Sequence, residues 1–210
     1  MQLISVVRVS PVLVSLGSST IVLLYAASQR QFQVGERTLD EVTVFLRKLN
    51  WDEVREVFDR ARERYIRMTQ SGRPLRRTTR ANFLKAREFI SRMCHNARIV
   101  QEWANTELAE LLNGAGDYSE DEADQLREIA RLAAEFRRLA RMRLLKLTLW
   151  TVLRADRWPL KSVPSIASLR NLGANGEIDL IMQYEKLKKG AANLALPYGQ
   201  QFQDHVLSAL

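Results

Sequence analysis

The sequence predicts an all-α protein in which an N-terminal single transmembrane helix precedes an antiparallel helical bundle built on a long helical hairpin. Three observations carry that expectation. Residues 9–29 run for twenty-one positions without a charge between Arg8 and Arg30. Two long later stretches place apolar residues three and four apart, the period of a helix with one buried face. After residue 35 no series of alternating strands interrupts this pattern.

The uncharged stretch comes first. As a helix it spans about 31 Å at about 1.5 Å per residue, close to the roughly 30 Å of bilayer hydrocarbon. Arg8, Arg30 and Tyr25 suit the interfaces, and Pro11 fits a first helical turn. Ser15 and Ser19 stand four apart, the small-residue spacing that lets membrane helices approach one another, so a neighbouring membrane helix is an expected contact. Two other readings stay open. Ala26 and Ser28 are the small residues that a signal-peptide cleavage site uses. The segment "VLVSLGSST" resembles a strand entering a phosphate loop, but it has one Gly and no following Lys. Arg30, Arg37, Arg47 and Lys48 follow the span, which by the positive-inside rule puts the bulk of the chain in the cytoplasm.

Charge changes abruptly beyond it. Arg8 is the one charged residue among the first 29, whereas the remaining 181 hold 55. We therefore expect a transmembrane anchor and linker over 1–35, a helical bundle domain over 36–158, and short helices with a tail over 159–210.

Within the bundle, Thr38 and Glu41 have capping-box spacing, and Leu39, Val42, Leu46 and Leu49 form the stripe of a first helix. Asn50 and Glu53 repeat the box. The stripe restarts out of phase as Trp51, Val54, Phe58, Ala61, Tyr65 and Met68, predicting a second helix that stops at Ser71, Gly72 and Pro74. From about Thr79 to Asn113 the row Phe83, Ala86, Ile90, Met93, Ala97, Val100, Ala104, Leu108, Leu111 forms a coiled-coil-like seam. "NGAGDY" at 113–118 breaks it. Ser119 and Glu122 then open a helix to about Arg154, with Leu126, Ile129, Ala133, Phe136, Ala140, Leu144 and Leu147 on one face. Similar lengths and a short Gly-containing turn predict the hairpin. Beyond it, Ser165 to Leu172 and Glu177 to Lys189 read as short helices, and residues 196–210 as a tail.

The net charge of +8 is unevenly spread. Residues 60–98 carry twelve basic side chains against Glu63 and Glu88, residues 101–135 ten acidic against Arg127 and Arg131, and residues 137–161 eight basic against Asp156. A hairpin turns this alternation into an acidic tip and a basic opposite end. At that basic end "LLKLTLWTVL", residues 144–153, is apolar around most of the helix and calls for a cover. Arg73, Arg76, Arg77, Arg80, Arg154 and Arg157 are the candidates for contact with an anionic surface. Ser15, Ser19, Tyr25, Trp150 and Trp158 are the candidates for membrane or partner-helix contact.

Catalytic patterns are not found. Cys94 is the single cysteine, which excludes an intrachain disulfide and cysteine-cluster metal motifs. His95 beside it diverges by about 100° on a helix, and the other histidine is His205. No nucleophile elbow, Walker motif, dinucleotide fingerprint or zinc-protease motif occurs. The expectation is a non-catalytic, membrane-anchored accessory or scaffolding subunit with membrane-protein partners, an anionic lipid surface as a further partner, no cofactor and no small-molecule substrate. The alternative is a basic helical protein that binds nucleic acid, although no helix-turn-helix, zinc-finger or RNP-type pattern accompanies the arginines.

Overall fold

A computed structural model describes residues 39–113, 120–152, 165–166, 171–172 and 178–210. The proposed span at 9–29 lies outside these residues, together with Ser15, Ser19 and Tyr25. Among the described residues no helix is long and apolar enough to cross a membrane.

The described chain is helical apart from one short strand pair: α1 (Leu39–Phe45), α2 (Trp51–Val57), α3 (Arg60–Thr69), α4 (Gly72–Leu112), α5 (Glu120–Val152), β1 (Asn171–Leu172), β2 (Ile178–Asp179), α6 (Leu180–Ala195), a 3-10 turn (Leu196–Tyr198) and α7 (Gln200–Ala209). The two long helices pack antiparallel. Arg141 lies against Cys94 while Arg137 donates to the Gln101 side chain, so positions on α5 fall as those on α4 rise. Their interface is the expected seam: Phe83, Ala86, Ile90, Met93, Ala97, Val100 and Ala104 are buried against Leu126, Ile129, Ala133, Phe136, Ala140 and Leu147.

Several boundaries differ from the sequence expectation, each for a local reason. Helix α1 ends at Phe45, and Leu46 and Leu49 reach the core from the non-helical connection. Asn50 caps the next helix as expected, with Glu53 N–H donating to Asn50 Oδ1 at 3.4 Å, but Glu53 Oε1 accepts from the Asn50 side-chain Nδ2 at 3.1 Å and not from its backbone N–H. The helix it opens is short. Asp59 accepts from Ala61 N–H at 2.8 Å and caps a separate α3, because this competing side-chain acceptor lets the backbone leave the helix at Phe58. Tyr65 and Met68, expected in the stripe, are 67% and 77% exposed, since α3 has no buried residue.

Gly72 and Pro74 begin a helix instead of marking a loop. Gly72 has φ +62°, a turn that L side chains rarely adopt, and Pro74 sits within the first turn, where its missing N–H costs little. Helix α4 therefore runs for 41 residues, about 60 Å.

The C-terminal third departs most. Residues Asn171 and Leu172, expected in a helix, pair antiparallel with Asp179 and Ile178. Asp179 caps α6 by accepting from Ile181 N–H at 2.9 Å, so that helix starts later and ends later than expected. The expected tail is helix α7, which buries Val206, with Leu210 buried just beyond it. Helix α6 lies along α5, where Gly190 lets its backbone approach Ile129: a Cβ at Gly190 would sit 3.1 Å from the isoleucine Cγ1. Residues Arg37–Leu210 form one compact unit.

At the far end of α5 the apolar block is divided. Leu147 is core and Leu144 half-buried, whereas Leu145 and Leu149 are exposed.

Candidate functional site: the basic face of the hairpin

Arg73, Arg77, Arg80, Leu84, Arg87 and Ser91 advance by four, three, four, three and four along α4, so they share one helical face, with Arg76 flanking it. All seven side chains are exposed. The structure thus brings the predicted Arg73, Arg76, Arg77 and Arg80 together on the first three turns of one helix, which opens at Gly72 and not near Thr79 as expected. Of the remaining candidates, Trp150 lies in the last turn of α5, whereas Arg154, Arg157 and Trp158 fall outside the described residues.

This arrangement opposes the usual charge logic of a helix. The N-terminus of a helix carries about half a positive charge and favours acidic neighbours by about 0.3–1 kcal/mol each. Helix α4 has no acidic residue in its first turn, and Ser71 makes no side-chain cap. Helix α5 follows the rule, opening with Glu120, Asp121 and Glu122. Basic side chains are therefore concentrated at the start of α4, and acidic side chains gather at the other end of the hairpin.

The face continues into an open groove of about 660 Å³ bordered by Arg47, Lys48, Leu84, Arg87, Glu88, Ser91 and Arg92. Arg47 and Lys48 come from the connection after α1, and α4 grips that connection by its backbone. Asn96, fully buried, accepts from Arg47 N–H at 2.8 Å and donates to Arg47 C=O at 3.0 Å. Arg92 donates to Lys48 C=O at 3.1 Å. His95 Nε2 lies 3.1 Å from the Phe45 carbonyl, a contact that requires the ring nitrogen to donate. Burial, as the largest cause, pulls the His95 pKa below its ordinary value. Arg92 also pairs with Glu88 at 2.5 Å, which leaves that arginine largely compensated.

In the sequence Arg87 belongs to a general basic block, and Arg47 and Lys48 bear only on membrane orientation. The signal for their convergence was Asn96, a polar residue standing in phase with Met93 and Val100 on an otherwise apolar seam.

Other polar clusters have structural partners. Glu107 accepts from Trp103 Nε1 at 2.9 Å and from the Tyr198 hydroxyl at 2.8 Å, beside a cavity of about 150 Å³ shared with Glu122, Leu126, Asn193 and Pro197. Arg98 pairs with Glu102 at 2.6 Å close to Arg137, and burial lowers the Arg137 pKa, reinforced by Arg141. The Cys94 thiol is pushed up by burial, against the opposing pull of Arg141 and Arg137. Among the described residues no three His, Cys, Asp or Glu side chains gather where they could hold a metal ion. The chain matches no protein-family model, no curated protein and no solved structure.

Proposed function

We propose that this protein is a non-catalytic accessory or scaffolding subunit, anchored in a membrane through residues 9–29, whose helical domain binds partner proteins at the membrane and turns the basic face of α4 toward anionic headgroups. The observation that carries this reading is the row Arg73, Arg77, Arg80 and Arg87 on one exposed face at a helix N-terminus, with Arg76 beside it. Like charge at that end of the helix costs folding energy, and an anionic surface removes the cost. Each arginine near such a surface contributes about 1 kcal/mol. The length and flanking arginines of residues 9–29 support the anchor. Exposed Leu145 and Leu149, near the same end of the hairpin, supply apolar area for a partner or interface.

Carbonate extraction of membranes carrying tagged full-length protein, followed by purification in mild detergent, tests this reading. Retention in the membrane pellet with co-purifying membrane proteins is expected. Release into the carbonate supernatant contradicts the anchor.

The same exposed arginine row also supports a nucleic-acid reading, since arginines at helical spacing can contact successive phosphates. Tight duplex binding that falls steeply with salt, without membrane retention, would favour that alternative.

A further inference from the structure

The groove at the junction of the α1–α2 connection with α4 differs from the rest of the basic face in being built. Segment 45–48 is held by four contacts from α4 side chains to its backbone: His95 to the Phe45 carbonyl, Asn96 to both the N–H and the carbonyl of Arg47, and Arg92 to the Lys48 carbonyl. Asn96 is in turn fixed from behind by the Tyr184 hydroxyl at 2.9 Å, with both side chains fully buried. The backbone that carries Arg47 and Lys48 is therefore set before any ligand arrives, so less ordering is required on binding.

Charge in the groove is unbalanced. Glu88 is its one carboxylate, and Arg92 engages it. Among the described residues no ion pair holds Arg47, Lys48 or Arg87, and the Ser91 hydroxyl lies on the same wall. Three cations and a hydroxyl around one opening match a group with about two negative charges and three acceptor oxygens, which is a phosphomonoester. A carboxylate or a phosphodiester brings one charge and fewer free oxygens. Two guanidinium forks and one ammonium suit phosphate oxygens, the forks by paired bonds and the ammonium as a point charge. The groove is far larger than a phosphate, and half-exposed Leu84 gives it an apolar side against which the carrier of the phosphate can lie.

We propose that this groove is a phosphomonoester-binding site in which Arg47, Lys48 and Arg87 contact the phosphate, Ser91 donates to it, and Arg92, Asn96 and His95 position the segment. The phosphate belongs either to a lipid headgroup or to a free phosphorylated molecule. With a lipid source, the inference rests on the membrane-surface reading above and names the headgroup class that the surface prefers.

The test uses the full-length chain in mild nonionic detergent. Calorimetric titrations compare micelles doped with short-chain phosphatidylinositol 4-phosphate, micelles of equal charge doped with short-chain phosphatidylserine, and free inositol 1,4-bisphosphate. The same titrations follow Lys48→Gln and Arg87→Gln, whose exposed side chains can change without touching the core. The phosphomonoester lipid is expected to bind at least about tenfold more tightly than phosphatidylserine, and each substitution to reduce that preference by about fivefold or more. Free inositol bisphosphate binding as tightly as the lipid, with the same sensitivity to the substitutions, supports the site and assigns it to a soluble phosphate. Equal affinity for the two lipids, or indifference to both substitutions, overturns the site and leaves the general surface reading standing. Phosphomonoester binding without any phosphatidylserine binding has the opposite meaning: it supports the groove and removes the charged-surface reading.

Discussion

Asn96 Nδ2 donates a 2.9 Å hydrogen bond to the Tyr184 hydroxyl across the centre of the bundle, and neither side chain has any exposed surface. The same asparagine holds the backbone of Arg47, so one residue of α4 ties the α1–α2 connection to α6. Asn96→Ala leaves the buried Tyr184 hydroxyl and the part-buried Arg47 amide and carbonyl without this partner, and an unsatisfied buried group costs about 1–3 kcal/mol. A loss of about 3 kcal/mol in urea unfolding is expected. Tyr184→Phe leaves a single asparagine N–H unpaired and should cost about 1 kcal/mol. The double mutant should lose less than the two single losses combined, because both changes break one shared bond.

His95 gives the fold a defined acid sensitivity. Its folded pKa lies below the ordinary 6.5, with burial as the main cause, so the unfolded chain binds the proton more readily. Stability from this residue is complete above about pH 6.5 and declines as pH falls from there toward the lower folded value, by at most about 1.4 kcal/mol per pH unit. Chemical denaturation of wild type and His95→Gln between pH 7.5 and 5 checks this. The wild type should show the steeper decline, and equal slopes would exclude His95 as its source.

Glu63 on α3 is a latch for residues 165–166. Its carboxylate accepts from Ser165 Oγ at 2.5 Å and from Ile166 N–H at 3.2 Å, and it pairs with Arg67 at 2.8 Å. Ile166 itself is buried. Glu63→Ala should destabilise the domain by about 1–2 kcal/mol and accelerate hydrogen exchange at the Ile166 amide more than at amides of the α4–α5 seam. Unchanged exchange at Ile166 would show that the carboxylate does not hold it.

Burial also governs Cys94. With its thiol pKa raised, the native cysteine holds less thiolate at neutral pH than an exposed one. Alkylation by iodoacetamide at pH 7.5 should be at least about tenfold slower in the native protein than in denaturant. Comparable rates in the two states would contradict the burial described for this side chain.

The hairpin was legible in the sequence because its two apolar rows are long and uninterrupted, and the Asn50 cap because its partner Glu53 is local. Tyr65 and Met68 misled for the opposite reason. Their spacing is helical, but spacing does not reveal whether another element packs there, and the Asp59 cap rotates α3 out of the core. The arginines at 73–80 were found as a charge block, while their placement on one helix face depended on Gly72 and Pro74 starting a helix. The groove was least visible. Arg47 and Arg87 lie forty positions apart in the chain, and they meet because Asn96, Arg92 and His95 bond to backbone atoms, which leave no trace in residue type. Residues 190–210 are underread because Pro197 and Gly199 interrupt the row Ala191, Ala195, Val206 and Leu210, although the chain resumes the same buried side after the turn.

Flotation of residues 37–210 with liposomes tests the proposed docking of the basic α4 face on an anionic membrane surface. The fragment should float with phosphatidylcholine vesicles containing about one-third phosphatidylserine, stay behind with phosphatidylcholine alone, and be released as salt shortens the screening length to a few ångströms. Replacing Arg73, Arg76, Arg77 and Arg80 by Gln should abolish flotation while leaving the helical circular dichroism intact. Equal partitioning with neutral and anionic vesicles, or flotation that survives the four substitutions, would contradict docking through the α4 arginines.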